Sequence, residues 1–229
     1  MIGRIFEQTR GMLVCIATRC PTSSEAIARV VIEGSINLMY LSIKGNNSTL
    51  VGFFDSWVSE QRKKLTEWKQ REIGHDHDSQ IISMIDERLG LLSDYDAFLE
   101  QMVLACNITR KPHKEVWPKS LFERFSELGR ENDYYTSYHR LSGSSHISGE
   151  DTLSWLLALN ADEQAKHKIG KEAVAYSVMM SRIASLFFVD ALHACCIAHG
   201  YESPEKFNNI KRTLIHSVGE IAGEAGVPK

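Results

Sequence analysis

Apolar residues return every three or four positions along almost the whole chain, a period that predicts helices. Ile5, Met12, Leu13 and Ile16 begin it. Pro21-Thr22-Ser23-Ser24-Glu25 supplies a helix start, and Gly45-Asn46-Asn47-Ser48 a stop, which predicts a helix to about Lys44. Val51, Phe54, Val58, Leu65 and Trp68 keep the period to about Glu72, and Ile81, Ile85, Leu89, Leu92, Leu99 and Val103 carry it from about Ser79 to Cys106. Short helices follow: one opened by Pro118-Lys119-Ser120 and ended by Gly129, one from about Asn132 through Tyr138, and one around Leu153 to Leu159. Lys171 to His199 predicts a core helix through Val174, Met179, Ile183, Phe187 and Leu192. The polar stretch Asn160 to Lys168 reads as the longest loop. Ser203-Pro204-Glu205 caps a last helix, with Gly219 to Lys229 as a frayed tail. No alternating strand pattern and no internal repeat is visible. The expected fold is therefore all-α: a single helical-bundle domain over residues 1–229 with seven to nine helices, residues 204–229 forming a C-terminal helix and flexible tail.

The helix after Pro21 breaks the amphipathic rule. Ile27, Val30, Val31, Leu38, Met39, Leu41 and Ile43 make it apolar on most sides, so it is expected to be buried. Yet Arg29, Glu33 and Asn37 form an i, i+4, i+8 stripe that Tyr40 continues. Buried charges must be paired or they cost heavily. Two readings stay open: an Arg29–Glu33 pair along one helix, or Glu33 and Asn37 holding a polar group from another helix, with Arg140 as the candidate.

The composition, 43% hydrophobic and 24% charged with a formal net charge of −3, is that of an ordinary globular protein. It offers no global attraction to a polyanion, so any such partner must meet a local patch. Five cysteines, Cys195 and Cys196 adjacent and Cys15, Cys20 and Cys106 scattered, without a C-x-x-C pair, fit reduced, buried thiols. The opening residues lack the apolar core of a signal peptide, and the run Ile183 to Ala198, broken by Asp190 and His193, is short for a bilayer. A cytoplasmic protein without membrane contact is expected.

Candidate chemistry concentrates in Tyr135 to His146, Y-T-S-Y-H-R-L-S-G-S-S-H. An aromatic run delivers Arg140, a Ser/Gly turn containing Ser142 follows, and His146 stands just before a helix start at Ser148-Gly149-Glu150-Asp151. A guanidinium, an imidazole and a helix N-terminus suit a phosphate. Other groupings are weaker. His75-Asp76-His77-Asp78 lacks a further ligand pair at metal spacing, and an interhelical loop is the preferred reading. His193, Cys196 and His199, at i, i+3 and i+6, share no tight face and read as core residues. No metal and no cofactor is expected, and G-x-G-x-x-G, Walker and G-x-S-x-G signatures are missing.

R-L-S-G-S-S-H is similar to the R-x(4 to 6)-H signature of the HEPN superfamily, all-α domains of which many are metal-independent ribonucleases. The chain also resembles a bacterial all-helical family of unassigned function. Its members carry R-x-x-x-E-x-x-x-N, here Arg29, Glu33 and Asn37, then W-x-K-S, here Trp117 to Ser120, and Y-x-x-Y-x-R-L-S-x-x-x-H, here Tyr135 to His146. The HEPN resemblance implies that His146 acts as acid and base on a ribose 2′-OH and its leaving oxygen. It implies that Arg140 grips the scissile phosphate. Glu33 or Tyr138 would orient one of them. It also implies a homo-oligomer, a dimer favoured, with a composite site, RNA as partner, and a toxin or antiviral-defence role with a cognate antitoxin or other protein partner. Two other readings stand beside it: a helical module that binds without turnover, and a scaffold in which Arg140 and Glu33 form a structural ion pair while Tyr135 and Tyr138 pack.

Overall fold

The polar caps that punctuate the chain divide it into helices at nearly the expected points. The computed structural model describes residues 1–73, 78–141, 149–202 and 205–227, with backbone alone at 78, 149–151, 154 and 155. The helices are α1 (Ile2–Ala17), α2 (Pro21–Ile43), α3 (Asn47–Glu72), α4 (Asp78–Ala105), α5 (His113–Val116), α6 (Leu121–Glu127) and α7 (Glu131–Asp133), which runs into a π-turn (Tyr134–His139). They continue with α8 (Gly149–Leu159), α9 (Glu163–Ala198) and α10 (Glu205–Ala222). No strand occurs among the described residues, and the fold is all-α.

The helices gather into two compact units, residues 1–43 with 120–229, and residues 44–119. The first is built around α2. Its Ala28, Val31, Ile32 and Ile36 have no exposed surface, and they share a core with Phe125, Leu141, Met180, Ala184 and Phe187. Both α2 and α9 are long and apolar enough to cross a membrane by length and composition, α9 over more residues than the run from Ile183 indicates. Here their apolar faces pack together within this core. Gly34 lets α1 lie close against α2, since a Cβ there would stand 2.9 Å from Ile5 Cγ1.

Two expectations at the end of the chain change. Asp162 accepts the Ala165 amide at 2.8 Å and caps α9, so residues 163–168 are the first turns of a helix. Their polarity reflects a solvent-facing start, which sequence pattern alone does not separate from a loop. The tail is not frayed over its described length: Ile221, Ala222, Ala225 and Val227 pack against the main core.

The second unit is an α3–α4 hairpin. Arg62 pairs with Asp96 and Lys69 with Asp86, so the two helices run antiparallel. Val58, Leu65, Ile85, Leu92 and Leu99 fill the space between them. Arg110, beyond α4, donates to Asp55, Asp96 and Glu100 at once, and His113 Nδ1 lies 3.4 Å from the same Asp55. Burial works against the Arg110 charge, but the three carboxylates outweigh it and hold the guanidinium above its ordinary pKa. Trp117 packs edge-on against Phe53 at 4.9 Å. A Cβ on Gly52 would collide with the Val116 side chain, so glycine there gives α5 room to seat.

Phe125 is fully buried among Tyr134, Tyr138 and Phe187. Phe125→Ala is expected to cost about 3–5 kcal/mol, read by urea denaturation followed by circular dichroism. A loss below about 1 kcal/mol would contradict this core assignment.

Candidate functional site

Ser120 opens α6 with a capping box: its hydroxyl accepts the Glu123 amide at 3.1 Å, while Glu123 accepts the Ser120 amide at 3.3 Å. That start turns Arg124 and Phe125 inward. Gly129, at φ +69°, closes the helix in the left-handed region, with the Arg130 amide donating back to the Phe125 carbonyl at 2.8 Å. The chain then enters the π-turn, whose i→i+5 ring holds one residue more than an α-turn. Tyr134 and Tyr138 point toward Phe125, whereas Tyr135, His139 and Arg140 are exposed.

Tyr138 is the hub of the polar seam. Arg29 Nη2 donates to its hydroxyl at 3.1 Å, with the guanidinium 4.8 Å from the ring centroid, and that hydroxyl donates to Glu33 Oε2 at 3.3 Å. Both open readings of the stripe are thereby modified. Arg29 and Glu33 are bridged by a group from another element, and that group is Tyr138, not Arg140. Burial raises the Tyr138 pKa; the bond from Arg29 opposes this and the charge of Glu33 adds to it. Arg124 is 8% exposed, and burial lowers its pKa against the attraction of Glu33 and Glu123. Tyr40 donates to Glu127 at 2.7 Å, and burial followed by that bond pushes its pKa up to about 12. The Asn37 side-chain oxygen is buried and accepts no hydrogen bond from the described residues.

Arg140 does not meet Glu33. Its guanidinium lies over the Tyr176 ring, 5.5 Å from the centroid. Beside Tyr176, the Ser177 hydroxyl donates to the buried Glu25 carboxylate. Burial raises the Tyr176 pKa, with Arg140 lowering it and Glu25 raising it. So a cation just after the π-turn stands over a ring on α9, and the residue next to that ring holds a buried carboxylate of α2. Sequence reasoning missed Arg124, Tyr176, Ser177 and the role of Glu25. The first three sat in ordinary amphipathic patterns, and Glu25 read only as a first-turn acid. His146 and Ser142 lie outside the described residues.

The remaining candidates have local explanations. His193 stacks on Phe207 with ring centroids 5.3 Å apart. His199 Nδ1 sits 2.8 Å from the Cys195 carbonyl oxygen. Among the described residues no group of three or more His, Cys, Asp or Glu is placed to hold a metal. Residues 75–77 lie outside the described residues.

A family model matches residues 1–164, more than half of the chain. The chain belongs to a family of unknown function, DUF5677. This agrees with the expected membership in an all-helical family of unassigned function. The DUF5677 match takes in the α2 stripe and the π-turn, while Tyr176 and Ser177 lie beyond it. No curated protein and no solved structure matches the chain.

Tyr138→Phe removes the hydroxyl between Arg29 and Glu33 and is expected to cost about 1–3 kcal/mol, measured by chemical denaturation; an unchanged midpoint would refute the bridge. Tyr40 carries a pH prediction. An unfolded tyrosine ionises near pH 10, whereas folded Tyr40 keeps its proton to about 12. Folding therefore retains a proton in that window, so stability falls as pH rises from about 10 toward 12 and is insensitive to this group below it. In Tyr40→Phe the decline between pH 9 and 11 should be shallower; an equally steep decline would exclude Tyr40 as its source.

Proposed function

We propose that this DUF5677 protein is a cytoplasmic, metal-independent RNA-cleaving nuclease of HEPN type, with Arg140 holding the scissile phosphate and His146 moving the protons. The observation that carries this reading is the state of Arg140. It is exposed, it rests on the Tyr176 ring, and no carboxylate among the described residues lies within ion-pair distance of it. An exposed guanidinium needs no internal acid, and this one leaves its planar donor fork open to an external anion.

His146 follows Arg140 by six residues. An imidazole at that spacing supplies the base that takes the 2′-OH proton, and the attack of that oxygen on phosphorus expels the 5′-oxygen, which receives a proton in turn. The products are a 2′,3′-cyclic phosphate and a free 5′-hydroxyl. A second protomer would provide the second imidazole, so a homodimer belongs to the proposal, as does a toxin or defence role restrained by an antitoxin. The Arg29–Tyr138–Glu33 seam acts as the internal brace that fixes the π-turn, and thus Arg140, against α2.

Purified protein in excess EDTA is expected to convert single-stranded RNA into fragments ending in 2′,3′-cyclic phosphate. Arg140→Ala and His146→Ala should each lower the rate at least about a hundredfold, with thermal midpoints within a few degrees of wild type. Cleavage that survives both substitutions would eliminate the assignment. Binding of RNA without products would replace it with a recognition module.

A further inference from the structure

Resting on the RNA reading above, the geometry of the π-turn points to a further role: we propose that the exposed Tyr135 ring is a stacking face for an unpaired base of single-stranded RNA, with His139 flanking it at a tilt of 49° and Arg140 following on the same stretch of chain. Tyr135 is 57% exposed although it sits in the aromatic cluster of the molecule's main core unit. Its partners leave it accessible while fixing its orientation. Tyr134 meets it edge-on at 5.3 Å and 89°, Phe122 lies 5.8 Å away, and the exposed His139 ring is at 6.4 Å. A ring held by several neighbours loses little rotamer freedom when a ligand covers its open side, so more of the stacking energy reaches the affinity.

The surroundings favour a nucleotide over a protein surface. Glu131, Asn132 and Thr136 are polar and exposed around these rings, so they form a small island rather than a broad apolar patch. Arg140, directly after His139, provides a cation for the phosphate of the same strand. An aromatic face next to a guanidinium is what a single-stranded nucleic acid uses: the ring takes the flat base and the cation takes the backbone. Duplex RNA is excluded by the same physics, because its bases are already stacked on both sides and its deep groove admits no side chain. The platform thus assigns the substrate class, an unpaired stretch or loop.

The test uses the full chain and a 2′-O-methyl oligoribonucleotide of about ten residues with a central 2-aminopurine, which stacks but lacks the 2′-OH needed for cleavage. Binding should quench the probe. Tyr135→Ala should weaken binding about tenfold and remove the quench, Tyr135→Phe should retain both within about twofold, and a duplex of the same sequence should bind at least about tenfold more weakly. His139→Ala serves as a second variant, with a smaller loss expected. Equal affinity of wild type and Tyr135→Ala, or of single strand and duplex, overturns the platform, as does a Tyr135 variant whose only defect is in holding a protein partner. The two proposals separate cleanly. Stacking without cleavage of natural RNA keeps the platform and removes the chemistry, while cleavage with an unchanged KM in Tyr135→Ala keeps the chemistry and removes the platform.

Discussion

Burial of α2 is the constraint from which the first unit follows. A helix that is apolar on most sides cannot lie on a surface, so α1, α6, the π-turn and α9 must all find places around it. Fully burying a single Val or Ile side chain contributes about 1.5–3 kcal/mol, and α2 buries several with no exposure at all. The same enclosure makes the polar stripe consequential. Arg29 is half-buried and Glu33 exposed, so the stripe runs from the packed side of α2 toward solvent, and a partner able to accept from one and donate to the other ties the two together. The Tyr138 hydroxyl does both.

That requirement links core packing to the site. Tyr138 reaches the stripe from the same π-turn that exposes Tyr135, His139 and Arg140. The inward tyrosine anchors the turn, and the outward residues inherit its position. α9 completes the arrangement from far along the chain, since Tyr176 supplies the ring under Arg140 and Ser177 the hydroxyl on Glu25. The family match covers residues 1–164, whereas Tyr176 and Ser177, which meet Arg140 and Glu25, lie beyond it.

The second unit is held differently. Its apolar core is a single seam between α3 and α4, and the segment after α4 is fastened by charge, through Arg110 on three carboxylates. Trp117 and Ser120, which read as one short motif, have separate structural duties: Trp117 packs on Phe53, and Ser120 caps α6.

Local physics made the helices legible. The 3.6-residue period, the Gly and Asn stops and the acid-rich starts depend only on neighbours in the chain, so the all-α class and most helix bounds could be read from residue order. So could the buried side of α2, although Val30, Glu33 and Ile43 lie exposed, and so could the presence of its polar stripe. How that stripe is partnered could not be read, because Tyr138 and Arg140 are both polar groups on the same predicted helix, and a π-turn carries no distinctive composition. Which of them faces α2 depends on one extra residue in a backbone ring. The division into two units and the helical start of α9 at Glu163 were likewise settled by contacts between residues far apart in sequence. Residue order fixed what had to be buried and paired; only tertiary packing chose the partners, because several side chains of the right chemistry were within reach and distance alone decided among them.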